Sequence, residues 1–271
     1  MKKAIVIFFI IAIISFLFQL IANASQSTYI SKEGSLSENF QVLVLSQLVY
    51  SSIDEVETET SLEDLLKNDS VSPEIVLDFK TDINKGELKL DEVIENAKLK
   101  EWFLYSVERK DENGFFGAIF INKEKGKFVV SFRGTDSFTD ISESLVTFRN
   151  KELSQIESAE KLLEELPDEV EKTDVMLTGH SLGGHIAAKI GAIQNYKAIT
   201  SNAFAFKSSD LQTLRDNGLI KYEKNVMNYT IKGDPVSEYG DHIGYVFKLP
   251  KKWHWSFLKS HKLHTFYHFV E

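Results

Sequence analysis

The serine in Gly179-His180-Ser181-Leu182-Gly183 stands between a short apolar run and a helical run, at Val175–Leu177 and Leu182–Gln194. A serine hydroxyl becomes a nucleophile only with a base within reach and access to substrate. A sharp strand-to-helix turn provides that access, and it leaves no room for side chains two residues before and after the serine. Glycine occupies both positions, so the pattern predicts Ser181 as a nucleophile. A glycine-rich turn without chemistry is the alternative.

A nucleophilic serine needs a histidine and an orienting acid, which follow it in the order acid, then histidine, in sheets of this kind. Asp234 is the favoured acid because it lies in a turn just after the predicted strand Val226–Ile231. Asp210 is second, since it more simply caps a helix. The sequence favours His264 as the base, with His261 second and His268 third, without separating them firmly. The remaining downstream histidines are His185, His242 and His254.

Two backbone N–H donors are also expected, to bind the negative charge that develops on a carbonyl oxygen. Leu182 supplies one because it begins the helix after the nucleophile. Thr135 is predicted to supply the other, from the glycine turn that ends the strand Phe128–Phe132. Thr135 read alone would be an ordinary turn residue. His180 is expected to point away from Ser181 and to brace the turn, and His185 to be a packed structural histidine.

The chain begins with Lys2-Lys3, an apolar stretch from Ala4 to Ala22, and small residues before Ser25. This order of charged, apolar and small residues is typical of a secretory signal. We therefore predict a signal peptide over residues 1–24, a flexible leader over 25–37 and one catalytic domain over 38–271. An uncleaved membrane anchor is the alternative for the first segment. The expected location is secreted, periplasmic or on the surface of a bacterial cell.

Composition excludes several classes of protein. The chain has no cysteine, which excludes disulfides, a thiolate nucleophile and cysteine-ligated zinc. The formal net charge is -9, so nucleic acid is not an expected partner. Near the C-terminus the charge reverses, and aromatic residues alternate with lysines: Trp253, Trp255 and Phe257 with Lys248, Lys251, Lys252, Lys259 and Lys262. This mixture suits peripheral contact with a lipid surface; a solvated loop with its tryptophans in the core is the favoured alternative.

Strand-like and helical runs alternate along the chain, which predicts an α/β layered sheet. A helix begins near Phe40, and short helices extend to about Lys100. Phe115–Ile121 and Phe128–Phe132 predict an antiparallel hairpin. After it we expect a helix over Ser154–Leu166, the strand and helix around Ser181, strands over Ala198–Phe206 and Val226–Ile231, and a helix over Ser209–Asn217 between those strands.

Together these segments resemble the class 3 lipase family of α/β-hydrolases, and its bacterial lipase-like branch. The likeness rests mainly on Phe132-Arg133-Gly134-Thr135 and Gly179-His180-Ser181-Leu182-Gly183-Gly184. It is supported by Leu45–Tyr50, Gln155–Ala159, Ser201-Asn202-Ala203 and Gly233–Ser237. The resemblance implies an α/β-hydrolase fold, a mostly parallel central sheet with helices on both faces.

By this likeness Ser181, Asp234 and His264 form the triad, and Thr135 and Leu182 form the oxyanion hole. The expected activity is hydrolysis of lipid esters without cofactor or metal. Phospholipase A1 activity, small-ester carboxylesterase activity and a non-catalytic binding protein on the same fold are the alternatives.

Overall fold

The computed structural model describes residues 39–51, 53, 60–67, 89–110, 112–134, 141–253 and 255–269, and for residues 141–149, 257 and 258 the backbone alone. The predicted signal and leader lie outside the described residues, as do Thr135 and His254. Among the residues that are described, no helix combines the length and the apolar character needed to cross a membrane.

A 7-stranded sheet forms the centre of the molecule, with its strands in chain order. They are β1 (Trp102–Lys110), β2 (Phe115–Asn122), β3 (Lys127–Phe132), β4 (Val175–His180), β5 (Lys197–Ser201), β6 (Val226–Ile231) and β7 (Tyr245–Leu249). β1, β2 and β3 pair antiparallel, and every pair from β3 to β7 is parallel. The mostly parallel sheet and the β2–β3 hairpin are thus confirmed. Edge strands β1 and β7 were not predicted.

Helices cover both faces, as predicted. Before the sheet come α1 (Phe40–Leu48), α2 (Leu62–Lys67) and α3 (Leu90–Asn96); the later helices are α4 (Ile141–Leu163), α5 (Leu182–Gln194), α6 (Ser208–Asp216) and α7 (Phe257–His261). Short 3-10 helices lie at Leu99–Glu101, Lys172–Asp174, Glu223–Asn225 and Leu263–Phe269. The predicted helix over Ser154–Leu166 is the second half of α4.

Alternate residues of the strands enter two separate cores. In β3, Val129 packs with α1, α2 and α3, whereas Phe128 and Val130 pack with α4, α5 and α6. This alternation follows from the opposite directions of successive side chains along a strand.

Because β3 to β7 are parallel, the segments that follow them meet at one edge of the sheet. The predicted strand Ala198–Phe206 ends at this edge after Ser201, where Asn202 takes a positive φ of 43°. Among the described residues, Ser181 therefore follows β4 at this edge and Asp234 follows β6 there.

Candidate active site

Ser181 connects β4 to α5 with φ 57° and ψ -124°. Side chains rarely adopt this conformation because it is strained. A Cβ added to Gly179 would lie 2.4 Å from the carbonyl carbon of Gly183, and one added to Gly183 would lie 2.0 Å from the oxygen of Phe132. Glycine is therefore required at both positions by the closeness of the backbones, as the sequence pattern implies.

Asp234 lies just beyond β6 and is fully buried. Its Oδ1 accepts the N–H of Val236 at 3.1 Å, and its Oδ2 accepts the N–H of Ser237 at 3.1 Å. His242 supports the same turn, because its Nε2 donates to the oxygen of Ser237 at 2.8 Å. These contacts hold the carboxylate in one orientation.

His261, the last residue of α7, lies between the acid and the serine. Its Nδ1 is 3.0 Å from Asp234 Oδ1, and its Nε2 is 3.1 Å from Ser181 Oγ. The structure therefore corrects the sequence preference for His264: the position between Ser181 and Asp234 is occupied by His261, the second choice. The cause is geometric, since α7 ends with His261 directed at the sheet edge and His264 lies in the following 3-10 helix.

The other histidines have different surroundings. His268 Nδ1 faces Lys252 Nζ at 3.0 Å, and its ring packs against Trp255. His185 is buried, with Nδ1 3.0 Å from the oxygen of Phe204 and its ring stacked on Phe206. It is the packed histidine that the sequence predicts.

The backbone of His261 is also held. His180 Nε2 donates to the His261 carbonyl oxygen at 2.7 Å, and Asn202 Nδ2 donates to the same oxygen at 3.1 Å and to the oxygen of Ser260 at 2.8 Å. His180 thus braces the backbone of His261, where the sequence predicted a brace for the turn. The sequence assigned no role to Asn202; its signal is an asparagine at a strand end, the residue type that tolerates positive φ.

Asp234 and His180, which both contact His261, have pKa values below their usual values for different reasons. Burial would raise the pKa of Asp234, but the charge of His261 and the hydrogen bonds from His261, Ser237 and Val236 outweigh it, so the pKa lies below its usual value. Burial, together with the nearby His261, lowers the pKa of His180 to about 3. At neutral pH Asp234 is therefore ionised and His180 is neutral.

Leu182 is the first residue of α5, directly after Ser181. Its N–H therefore has no acceptor within the helix. Gly134 lies close by, since a Cβ added there would be 3.2 Å from Ser181 Cβ. The second predicted donor, Thr135, lies outside the described residues. The access expected for Ser181 is not observed: the residue has no exposed surface.

A family model described as phospholipase-like, the Tle-like phospholipase domain, matches residues 83–249. This range is more than half of the chain and includes Ser181 and Asp234. The chain belongs to the Tle-like phospholipase domain family. The lipase-like recognition made from the sequence is confirmed, and the bacterial branch stays a prediction. No curated protein sequence matches this Tle-like phospholipase domain protein.

Several solved lipases show a distant structural similarity to this chain. LIP2 lipase of Yarrowia lipolytica is 13% identical, with 84% of this chain and 83% of that chain covered at a TM-score of 0.48. A lipase of Rhizopus microsporus var. chinensis is 14% identical, with 79% and 72% covered at a TM-score of 0.42. The likenesses are distant. The protein has the α/β-hydrolase fold.

The aromatic and basic segment near the C-terminus divides into buried and exposed parts. Trp253 is 94% exposed, whereas Trp255 is 3% exposed and packs against His268 and Phe269. Trp255 therefore agrees with the favoured alternative, a tryptophan in the core, and the surface role is wrong for this residue. The side chain of Phe257 lies outside the described residues. In the described part of the chain, no three His, Asp or Glu side chains are grouped so as to hold a metal ion.

Proposed function

We propose that the protein is a serine hydrolase of lipid carboxylic esters, with Ser181 as nucleophile, His261 as base and Asp234 as orienting acid. The observation that carries this proposal is the line of contacts from Ser181 Oγ to His261 Nε2 at 3.1 Å and from His261 Nδ1 to Asp234 Oδ1 at 3.0 Å. The family match supports the substrate class, since the family is described as phospholipase-like.

In the proposed reaction, Asp234 accepts a hydrogen bond from His261 Nδ1–H, which leaves Nε2 free to take the proton of Ser181. Ser181 Oγ attacks the ester carbonyl, and the oxyanion is bound by the N–H of Leu182 and a second donor, for which Thr135 is the candidate. His261 returns the proton to the leaving alcohol. Water, activated by the same histidine, then releases the acid from the acyl-enzyme.

The test is hydrolysis of nitrophenyl esters of increasing acyl length by the purified full chain, with Ser181→Ala as the inactive variant and Ser209→Ala on exposed α6 as the matched control. Activity that rises with acyl length and disappears only in Ser181→Ala supports the proposal. Labelling of Ser181 by a fluorophosphonate provides an independent readout. Labelling absent together with no hydrolysis of any ester would instead favour a non-catalytic binding protein.

Because Ser181 has no exposed surface, substrate reaches it only if the surrounding chain moves. We therefore infer that the enzyme acts faster on aggregated than on dispersed ester. The rate is measured on one short-chain ester below and above its solubility limit. A rate that follows ordinary saturation through that limit would contradict this inference.

Phospholipase A1 activity is the second candidate function, and the family description favours it. Product analysis separates it from triacylglycerol hydrolysis. Release of the sn-1 fatty acid and a 2-acyl lysolipid from phosphatidylcholine, without release from triacylglycerol, supports the phospholipase. Hydrolysis of acetate or butyrate esters alone supports a small-ester carboxylesterase.

We also propose peripheral contact with lipid through Trp253 and the adjacent Lys251 and Lys252. This segment lies between β7 and α7, so it leads directly to His261. Exposed tryptophan beside lysine is suited to an anionic headgroup layer. Since Trp102 and Trp255 are buried at 2% and 3% exposure, a change in tryptophan emission on adding vesicles reports Trp253. A blue shift with phosphatidylglycerol vesicles that is lost in Trp253→Phe supports the contact; equal shifts in both proteins refute it.

Export through residues 1–24 stays part of the proposal, with retention as a membrane anchor as the alternative. Expression in a bacterial host followed by N-terminal sequencing tests it. A mature protein beginning at Ser25 supports cleavage, whereas an intact N-terminus in the membrane fraction supports an anchor.

A further inference from the structure

A line of hydrogen bonds connects Gly134, at the end of β3, to the backbone of His261. The N–H of Gly134 donates to Tyr50 Oη at 3.0 Å. Tyr50 Oη lies 3.2 Å from His180 Nδ1, and His180 Nε2 lies 2.7 Å from the His261 carbonyl oxygen. Neither Tyr50 nor His180 contacts the reacting hydroxyl in these bonds, yet they join two sides of the site that are far apart in the chain.

The direction of each bond can be assigned from chemistry. A carbonyl oxygen only accepts, so His180 Nε2 carries a hydrogen. His180 is neutral, since burial and the nearby His261 lower its pKa to about 3, and its Nδ1 is therefore an acceptor. Tyr50 donates to Nδ1, and its oxygen accepts the N–H of Gly134. A second acceptor for Tyr50, the backbone oxygen of His180, is more distant at 3.4 Å.

One end of this line sets the position of the base. His261 ends a helix of 5 residues, which has little rigidity of its own. Its ring has to meet both Ser181 Oγ and Asp234 Oδ1, so a shift of its backbone would lengthen both contacts. The bond from His180 to the His261 carbonyl opposes such a shift, and Tyr50 keeps the His180 ring in the required tautomer.

The other end of this line holds Gly134, which precedes Thr135 in the chain. The N–H of Gly134 donates to Tyr50 Oη, so this amide is already used within the protein. The hydroxyl of Tyr50 also fills the space in which a Gly134 side chain would stand, since an added Cβ would lie 2.7 Å from Oη. The hydroxyl of Tyr50 thus contacts Gly134 directly and is connected to His261 through His180.

We propose that Tyr50 and His180 are positioning residues, which hold the base His261 and the backbone of Gly134 in register for hydrolysis. This inference rests on the proposed function. Since the hydrogen bonds of both residues go to protein groups that flank the nucleophile, we expect their loss to lower the rate of the chemical step and to leave substrate binding unchanged.

The test is Tyr50→Phe in the full chain, which keeps the ring and removes the hydroxyl. The matched control is Tyr229→Phe: Tyr229 is buried where Tyr50 is partly buried, and its hydroxyl likewise accepts a hydrogen bond, from Asn39 Nδ2 at 2.8 Å. We expect kcat on a nitrophenyl ester to fall about 10- to 100-fold in Tyr50→Phe, as displaced catalytic groups do. KM and the melting temperature should match those of Tyr229→Phe, whose kcat should be near wild type.

A second pair of variants tests His180. His180→Gln can place an amide donor near the position of Nε2, whereas His180→Asn places its amide near Nδ1 and cannot reach His261. Partial activity in His180→Gln and loss in His180→Asn supports the proposal. Equal kcat values in Tyr50→Phe and Tyr229→Phe overturn the proposal. It is also overturned if the lower kcat of Tyr50→Phe is fully explained by a smaller fraction of folded protein.

Failure of the proposed function gives a different result, because wild type and Ser181→Ala would then be equally inactive. The hydrogen-bond line can still be examined by the ¹⁵N signals of the histidine rings. The ring of His180 should stay a neutral Nε2–H tautomer between about pH 8 and about pH 5. Tyr50→Phe should change the ¹⁵N signal of Nδ1 in that ring, because it removes the hydrogen bond from the tyrosine hydroxyl. No change in such a ring overturns the assignment irrespective of turnover.

Discussion

Replacing Asp234 by asparagine tests the site most directly, because both carboxylate oxygens already accept backbone hydrogens. Oδ1 accepts the N–H of Val236 and Oδ2 that of Ser237, each at 3.1 Å. The NH₂ group of an asparagine would face a donor in either orientation. Asp234→Asn therefore leaves a buried N–H without an acceptor, and it also removes the charge that orients His261.

The magnitude follows from these two losses. An unsatisfied buried donor costs about 1–3 kcal/mol of folding free energy, which for a domain of this size lowers the melting temperature by about 2–10 °C. With NH₂ toward His261, the ring is held in the wrong tautomer, for which the expected loss of kcat is about 10⁴-fold.

The assay compares kcat and melting temperature for wild type, Asp234→Asn and Asp210→Asn. Asp210 is the matched control because it lies exposed on α6 and was the other acid favoured by the sequence. Its substitution should change neither quantity. If Asp234→Asn kept more than about a tenth of wild-type kcat, or if Asp210→Asn lost as much, the reasoning would be refuted.

The effect of Asp234→Asn on the melting temperature should depend on pH. The pKa of Asp234 is depressed in the folded protein, mainly because His261 and its hydrogen bonds outweigh the effect of burial. Its charge therefore stabilises the fold above the unfolded pKa of about 3.9, and this contribution is lost as the pH falls through the folded pKa. The difference in melting temperature between wild type and Asp234→Asn should shrink below about pH 4; a constant difference down to acid pH contradicts the assignment.

Three further predictions concern the base and the turn. His261→Ala should abolish Ser181-dependent hydrolysis while His264→Ala retains most of it, as measured by kcat; the reverse order would restore the preference for His264. Gly183→Ala places a Cβ 2.0 Å from the oxygen of Phe132, so we expect a loss of about 1–3 kcal/mol in denaturant unfolding, and an unchanged midpoint would contradict the packing. Ser181→Gly should be inactive yet more stable than Ser181→Ala by about 1 kcal/mol, since glycine adopts a φ of 57° without strain; equal unfolding midpoints would show that the turn is unstrained.

The nucleophile turn could be predicted from the sequence because its constraints are local. Two glycines are required within two residues of Ser181, and the adjoining strand and helix have clear apolar patterns. Asp234 could be predicted for a similar reason, as a carboxylate directly after a well-defined strand, β6. The exposed position of Trp253 and the buried one of Trp255 could not, because the alternation of aromatic residues with lysines does not reveal which side faces the core.

The histidine beside Ser181 and Asp234 could not be chosen from the sequence, because its position depends on contacts distant in the chain. Two residues separate His261 from His264, and only the end of α7 against β4 and β6 decides between them. The edge strands were missed for different reasons. β7 has 5 residues and little buried surface, and β1 contains a register shift between Leu104 and Ser106 that interrupts its alternation.

The crowded turn at Ser181 restricts amino-acid substitution during evolution in two separate ways. Gly179 and Gly183 are fixed by backbones in contact, which any protein with this fold must satisfy whether or not it hydrolyses esters. Under the proposed function Ser181 is required for its hydroxyl, in a conformation that glycine adopts more readily. In homologues that are no longer selected for hydrolysis, we therefore expect glycine to replace the serine at position 181, whereas Gly179 and Gly183 are retained. A relative with that replacement would mark a lost activity on a surviving fold.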